Sequence, residues 1–79
     1  MTVVPLYGFV QGDTLGVVVL GRLDGTVRDL GEDLLRATAV RVRRRPAFAI
    51  VFGDRRLEPA APLNTLGMQP LDRVDLVWV

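Results

Sequence analysis

The sequence predicts an α+β domain in which a mixed β-sheet packs on one helix, with the element order ββαββ. Three observations support this prediction. Residues 48–52 and 74–78 alternate large apolar side chains with other residues, which is the pattern of a strand with one core-facing side. Residues 15–20 are apolar and rich in β-branched valine, which also favours a strand. Residues 27–38 place apolar residues at helical spacing.

The first two strands are predicted to form a hairpin over residues 4–10 and 14–20. The residues between these strands, Gln11-Gly12-Asp13-Thr14, are typical of a turn. Pro5 cannot donate a hydrogen bond to a sheet, so we expect it at a strand start or a sheet edge. The residues of the second strand that are predicted to face the core are Leu15, Val17 and Val19.

A capping box predicts where the helix begins. The Thr26 side chain can accept a hydrogen bond from the amide three residues later, and the Asp29 side chain can reach back to the Thr26 amide. The helix is predicted to span about residues 27–38, with Val27 on its core-facing stripe. Gly31 costs about 1 kcal/mol relative to alanine in mid-helix. It either allows a close approach to the sheet or lies on the exposed side.

The second half of the chain is predicted to contain strands near residues 47–52, 55–58 and 74–79. Gly53-Asp54 indicates a tight turn between the first two of these strands. A compact loop with a helical turn is expected before the last strand. Trp78 fits either the core or a partner anchor, and its alternation with apolar residues favours the core. The predicted core-facing residues of the longer strands are Phe48, Ile50, Phe52, Val74, Leu76 and Trp78.

Length and composition bound the class of protein. A chain of 79 residues is long enough for one small domain, which we assign to residues 1–79. No apolar run approaches the ~20 residues of a membrane helix, and no signal peptide is visible. We therefore expect a cytoplasmic protein that does not interact with membranes. The net charge of +1 provides no overall attraction to nucleic acid.

The residue types of the chain argue against an enzyme. The sequence contains no histidine, cysteine or serine. It therefore lacks a serine or cysteine nucleophile, a histidine base and any thiolate or imidazole metal ligand. Asp72 and Asp75 flank Arg73, but turn formation and surface solvation explain these carboxylates more readily than acid–base or metal chemistry. We expect a non-catalytic chain with no cofactor of its own.

One side of the predicted sheet suggests a protein partner. A solvated sheet face should alternate apolar and polar residues, whereas several of the outward positions here are apolar. Scattered exposed apolar residues are also common in proteins without partners, so ordinary strand composition is the alternative explanation. The outward-facing residues are predicted to be Val18, Leu20, Ala49, Val51, Val77 and Val79.

An arginine cluster precedes the third strand. It consists of Arg41, Arg43, Arg44 and Arg45. The cluster fits a solvated turn, a contact with an acidic patch on a partner protein, or a phosphate backbone. No aromatic residue lies between the arginines, although a platform for single-stranded nucleic acid would require one. We therefore expect no nucleic acid partner and retain the other two interpretations.

The element order and the apolar positions resemble ubiquitin-like β-grasp domains over nearly the whole chain. This resemblance implies the fold and says little about function, because many such domains share these core positions. The residues that resemble the helix start are Thr26-Val27, Leu30 and Leu34. Those that resemble the second half are Ile50-Val51-Phe52-Gly53, Leu57, Leu63, Met68, Asp72, Val74 and Leu76.

The sequence also resembles a narrower group, the protein B family of toluene-4-monooxygenase systems. These are small β-grasp subunits of bacterial multicomponent diiron hydroxylases. The length near eighty residues is similar as well. The matching segments are Pro5-Leu6-Tyr7-Gly8-Phe9, Gly12-Asp13, the apolar residues 15–20, the arginine-rich turn at 41–45, and Gly67 and Pro70-Leu71 before Val74-Asp75.

This narrower resemblance implies an accessory, gamma-type subunit of a toluene, aromatic or alkane monooxygenase hydroxylase. Such a subunit would dock on a large hydroxylase subunit through its exposed sheet face and serve aromatic hydrocarbon catabolism. The diiron site would lie in that partner, since this chain has no histidine to contribute. The alternative is a free-standing bacterial ubiquitin-like adaptor, for example in a secretion complex. In either case we expect weak self-association of the isolated chain.

Overall fold

The computed structural model describes residues 2–79, and the elements in that range follow the predicted order. None of the helices in this range is long and apolar enough to cross a membrane. A short 3-10 turn, Leu63–Thr65, supplies the predicted helical turn. The other elements are β1 Val3–Val10, β2 Val17–Arg22, α1 Val27–Ala37, β3 Phe48–Phe52, β4 Arg55–Arg56 and β5 Arg73–Trp78.

The strands form one mixed sheet in the order β2-β1-β5-β3-β4. β1 and β5 run parallel, and the other neighbouring strands run antiparallel. The sheet packs on α1, and the apolar side chains between them form the core, so the predicted α+β class is confirmed. Core residues no more than 1% exposed include Leu6, Val10, Leu30, Leu34, Ile50, Leu63, Val74 and Leu76.

The capping box at the start of α1 forms as predicted. The Thr26 hydroxyl accepts from the Asp29 amide at 3.3 Å, and the Thr26 amide donates to the Asp29 carboxylate at 3.0 Å. Gly31 is buried, and a β-carbon at this position would overlap the ring of Phe48 on β3. Gly31 therefore allows the helix to approach the sheet closely, which settles the choice that the sequence left open.

The β3–β4 connection is a two-residue turn in which both residues have positive φ, 57° for Gly53 and 65° for Asp54. This geometry matches the twist of an antiparallel hairpin. β4 is shorter than the predicted 55–58, although the Leu57 amide still donates to a carbonyl of β3 at 2.8 Å. The buried Leu57 enters the core, and the Pro59 carbonyl accepts from a backbone amide of the first helical turn.

The second strand begins later than predicted, at Val17 instead of residue 14. The prediction that Leu15 faces the core is wrong, since this side chain is 56% exposed. The reason is local: the Asp13 carboxylate accepts from the Leu15 amide at 3.2 Å, which extends the turn. Gly16 then passes so close to Tyr7 and Phe9 that a β-carbon would lie 2.5 Å from the Tyr7 ring.

Pro5 lies near the start of β1, which is an inner strand of the sheet. Its carbonyl accepts from the Leu71 amide at 2.7 Å, so its backbone faces the β5 side. The pairing of β1 with β5 begins only at Tyr7 and Arg73. Proline has no backbone N–H group, but at this position no β1–β5 pair requires one. Proline is therefore tolerated in an inner strand.

Candidate protein-interaction surface

The outer face is defined here as the side of the sheet that points away from α1. Along β1 the residues of one parity are buried and those of the other are half-buried or exposed, so the two faces are clearly separated. The strand pairing places the remaining members beside them. The outer face comprises Val3, Pro5, Tyr7, Phe9, Val18, Leu20, Arg22, Ala49, Val51, Arg56, Arg73, Asp75 and Val77.

Val18 and Leu20 are the most exposed apolar residues of this face, each 59% exposed. Val18 lies opposite Tyr7, and Leu20 lies opposite Pro5, across the β1–β2 pair. Tyr7 is itself 41% exposed. The outward orientation predicted for Val18 and Leu20 matches their positions, and together with Tyr7 and Pro5 they form a contiguous apolar patch.

The opposite half of the outer face is less accessible. Val51 and Val77 are half-buried. Ala49 points to the outer face but is only 9% exposed, so its role as a contact residue stays a prediction that its burial does not favour. Its methyl group lies opposite Val77 in the sheet and is short enough to be shielded by longer neighbours.

An aromatic and charged cluster occupies the middle of the outer face. The rings of Tyr7 and Phe9 meet edge to face with centroids 4.8 Å apart. The Arg73 guanidinium lies 4.1 Å from the Phe9 ring centroid, a cation–π geometry. The Asp75 carboxylate accepts from Arg73 at 2.9 Å, and this hydrogen bond raises the pKa of Arg73.

Sequence reasoning did not assign Tyr7, Phe9 and Arg73 to the surface. The relevant signal was present, since residues 3–10 are apolar at both parities and only one parity can face the core. Which parity faces inward depends on which side of β1 packs on α1, and the sequence of this strand alone does not reveal it. The cation–π contact joins β1 to β5, which are distant in sequence.

Arg41 attaches the loop before β3 to the β1–β2 turn. Its guanidinium bonds the Asp13 carboxylate at 2.9 Å, and the Asp13 side chain is only 3% exposed. These hydrogen bonds hold the pKa of Asp13 below its ordinary value of 3.8, although burial acts in the opposite direction. Arg41 therefore has a structural partner within the chain.

Arg44 attaches the same loop to the helix. It donates two parallel hydrogen bonds to Glu32, at 2.6 and 2.7 Å. These bonds lower the pKa of Glu32 and raise the pKa of Arg44. Arg43 and Arg45 are exposed, and neither forms an ion pair with any residue in the range 2–79. Two of the four arginines therefore form contacts within the chain, and the other two are solvated.

Trp78 belongs to the core side, as predicted. It is half-buried and packs against the core cluster. Its indole nitrogen donates to the Gln11 carbonyl at 3.0 Å, and its backbone amide donates to the Gln11 side chain at 2.9 Å. With its polar atom bonded inside the chain, Trp78 joins β5 to the end of β1.

The carboxylates singled out in the sequence have structural partners. Asp72 accepts from the Gln69 amide at 2.8 Å and so stabilises the turn before β5, while Asp75 pairs with Arg73. Over the described residues, no three side chains of the histidine, cysteine, aspartate or glutamate type are grouped so that they could hold a metal ion.

Comparison with known proteins shows similarity of structure and not of sequence. No family model matches the chain, and no curated protein is similar to it in sequence. A chain of the toluene 4 monooxygenase HD complex with the inhibitor 4-bromobenzoate superposes with a TM-score of 0.89 at 16% identity. The match covers 98% of this chain and 99% of that one. The expected structural resemblance to this monooxygenase system is confirmed at the level of the fold.

Ubiquitin-like proteins superpose as well. Ubiquitin of Caldiarchaeum subterraneum gives a TM-score of 0.77 at 14% identity, covering 98% of this chain and 94% of that one. The ubiquitin-like domain of Dsk2 from Plasmodium falciparum gives 0.78 at 23% identity, covering 98% and 99%. The chain has a ubiquitin-like β-grasp fold.

Proposed function

We propose that this chain is a non-catalytic accessory subunit, of the gamma type, of a diiron toluene, aromatic or alkane monooxygenase hydroxylase. The observation that carries the proposal is the superposition on a chain of the toluene 4 monooxygenase HD complex. That match spans both chains almost completely, with a TM-score of 0.89, whereas the ubiquitin and Dsk2 matches give 0.77 and 0.78. The narrower resemblance in the sequence supports the same assignment.

The outer face supports a docking role. Val18 and Leu20 expose more than half of their side chains, and Tyr7 lies beside them. Val51 and Val77 extend the apolar surface to the other half of the sheet. A standard interface takes about 800 Å² from each partner. In this proposal the large hydroxylase subunit covers the outer face, and Arg43 and Arg45 offer an electrostatic contact at its side.

The proposal assigns the chemistry to the partner. The diiron site would lie in the large subunit, and this chain would contribute binding and no metal ligand. Residues 1–79 are taken as one domain that acts in the cytoplasm during aromatic hydrocarbon catabolism, with neither nucleic acid nor membrane as a partner. The absence of histidine, cysteine and serine from the sequence supports a non-catalytic role.

A charge placed on the outer face tests the docking proposal. We expect Val51→Asp to weaken binding to the purified hydroxylase large subunit by at least about tenfold, because a charged carboxylate would have to lose its water at an apolar interface. Binding would be measured by calorimetry, and circular dichroism would check the fold. Val40→Asp is the matched control, since Val40 is 92% exposed in the loop before β3. A folded Val51→Asp chain that binds like the control would contradict the proposal.

The alternative function is a free-standing ubiquitin-like adaptor in another bacterial complex. It is favoured by the similarity in fold to the ubiquitin-like domain of Dsk2 and to a chain of the pParkin-pUb-UbcH7 complex. Purification of the tagged chain from its native host, followed by mass spectrometry, separates the two functions. Recovery of a large iron-containing subunit supports the hydroxylase, and reproducible recovery of a different partner supports the adaptor.

A further inference from the structure

The two edges of the sheet differ in how they are protected. β4 forms one edge and contains only Arg55 and Arg56, and short charged edge strands resist pairing with other chains. β2 forms the other edge and has six residues, of which the first four are valine or leucine. It contains no proline, and its only charged residue is Arg22 at the end. β2 therefore lacks these usual protections of an edge strand.

The pairing of β1 shows which backbone groups of β2 point outward. The Pro5 carbonyl and the Tyr7 amide both bond to the segment that leads into β5. Alternate residues of a strand direct their backbone groups to opposite sides, so Val4, Leu6 and Gly8 face β2. Their partners across the antiparallel pair are Gly21, Val19 and Val17.

It follows that Val18 and Leu20 direct their amides and carbonyls away from β1, at the free edge of the sheet. Neither residue has a backbone or side-chain hydrogen-bond partner outside the β1–β2 pair among residues 2–79. Two donors and two acceptors therefore stand in a row at the spacing of a strand. Their regular order is complementary to the backbone of another extended segment.

The same two residues carry the most exposed apolar side chains of the outer face. A strand added beside β2 would place alternate side chains next to Val18 and Leu20 and shield them from water. Cross-strand apolar pairs of this kind stabilise a sheet. Backbone hydrogen bonds and side-chain packing thus favour the same occupant, an extended segment with apolar residues at alternate positions.

A second copy of the chain is a less suitable occupant. Pairing two β2 strands would bury only the edges of two six-residue strands, and stable interfaces need about 800 Å² from each partner. A hydroxylase subunit that also covers the outer face would meet that requirement, because the edge and the face share Val18 and Leu20. The area argument therefore favours a larger partner.

We propose that an extended, apolar segment of the hydroxylase large subunit pairs with the free edge of β2 and adds a sixth strand to the sheet. This inference rests on the proposed function and goes beyond it, since it specifies main-chain recognition at one edge. The segment bonds the outward amides and carbonyls of Val18 and Leu20 and packs its apolar side chains beside them.

Replacing a backbone donor at the edge tests this proposal. Val18→Pro removes an amide that points outward, so the β1–β2 hydrogen bonds remain. Val18→Thr is the matched control, because it alters the side chain and keeps the amide. Calorimetry with the purified large subunit should show about tenfold weaker binding for Val18→Pro than for Val18→Thr. If the proline variant fails to fold, a semisynthetic chain with N-methylated Leu20 replaces it. Its binding is compared with that of the same semisynthetic chain without the methyl group, and about tenfold weaker binding is again expected.

The possible results distinguish a failure of edge pairing from a failure of the proposed function. If the wild-type chain binds and the folded Val18→Pro chain binds like Val18→Thr, edge pairing is wrong and the proposed function stands. If the wild-type chain does not bind the large subunit, the proposed function fails and edge pairing fails with it. If Val18→Pro abolishes dimers of the isolated chain in sedimentation but leaves hydroxylase binding unchanged, a second copy occupies the edge and the proposal is overturned.

Discussion

At the scale of single residues, helix propensity and core packing have opposite preferences at Gly31. As a helical residue it is unfavourable, by about 1 kcal/mol relative to alanine. As a contact it is required, because the Phe48 ring occupies the space that a β-carbon would need. Overpacking a core costs about 1–3 kcal/mol, which outweighs the gain in helix propensity.

We therefore expect Gly31→Ala to lower the free energy of unfolding by about 1 kcal/mol, as measured by urea denaturation. The same substitution in a Phe48→Leu background is the control, because the smaller side chain leaves room for the new methyl group. There the substitution should be neutral or stabilising. Stabilisation by Gly31→Ala in the wild-type chain would show that the contact with Phe48 does not limit this site.

The Asp13–Arg41 pair predicts a pH dependence of stability. Arg41 depresses the pKa of Asp13 in the folded state, so the pair stabilises the fold above the ordinary carboxyl value of 3.8. That contribution is lost as the pH falls through the lower folded value. We expect Asp13→Asn to reduce the melting temperature near pH 7, and the difference from wild type to shrink as the pH falls below about 4.

Asp24→Asn is the matched control for this pH series. Asp24 pairs with Arg22, but both side chains are about two-thirds exposed. Exposed pairs of this kind contribute little to stability. The control should therefore melt close to the wild type throughout. A difference between Asp13→Asn and wild type that stays constant down to about pH 2 would contradict the assignment of a stabilising carboxylate at Asp13.

At the level of secondary-structure elements, the loop between α1 and β3 contains two kinds of arginine: some are bonded within the chain, and others are free to contact a partner. Arg41 and Arg44 fix this loop to Asp13 and Glu32. Arg43 and Arg45 are exposed and have no ion pair within residues 2–79. In the sequence these four arginines look equivalent, and only the folded positions of Asp13 and Glu32 distinguish them.

We expect the double variant Arg43→Ala, Arg45→Ala to keep the wild-type melting temperature and to slow association with the large subunit at low salt. Charges at the margin of an interface act mainly on the association rate. The matched variant Arg41→Ala, Arg44→Ala should lower the melting temperature, because it removes both loop contacts. Stopped-flow binding and thermal melting measure the two effects. Equal melting temperatures for the two double variants would contradict this division.

At the scale of the whole molecule, the strand order decides which surfaces are available. β1 and β5 occupy inner positions, while β2 lies at an edge with its apolar side chains open. α1 covers only one side of the sheet. The outer face and the β2 edge therefore meet at Val18 and Leu20, and a single partner can contact both surfaces. The opposite edge at β4 is short and carries two arginines, which leaves β2 as the more favourable edge for pairing.

The strands and the helix, and their order along the chain, can be predicted from the sequence. Local signals are sufficient for this, because the capping box fixes the helix start, Gly53-Asp54 fixes a hairpin turn, and alternation identifies β3 and β5. The core-facing parity of these two strands also followed from their own side chains. The beginning of β2 was misjudged, because the contacts of Gly16 with the rings of β1 depend on the folded hairpin.

The accessibility of the surface residues depends on how distant segments pack together. The burial of Ala49 depends on neighbouring strands, and the exposure of Tyr7 depends on which side of β1 meets the helix. The Arg73–Phe9 contact joins β5 to β1, which lie at opposite ends of the chain. Patterns along the chain report local conformation, whereas the surface results from strand pairing between distant segments. Val18 and Leu20 were predicted from the sequence, but the accessibility of each candidate contact residue emerged only from the folded chain.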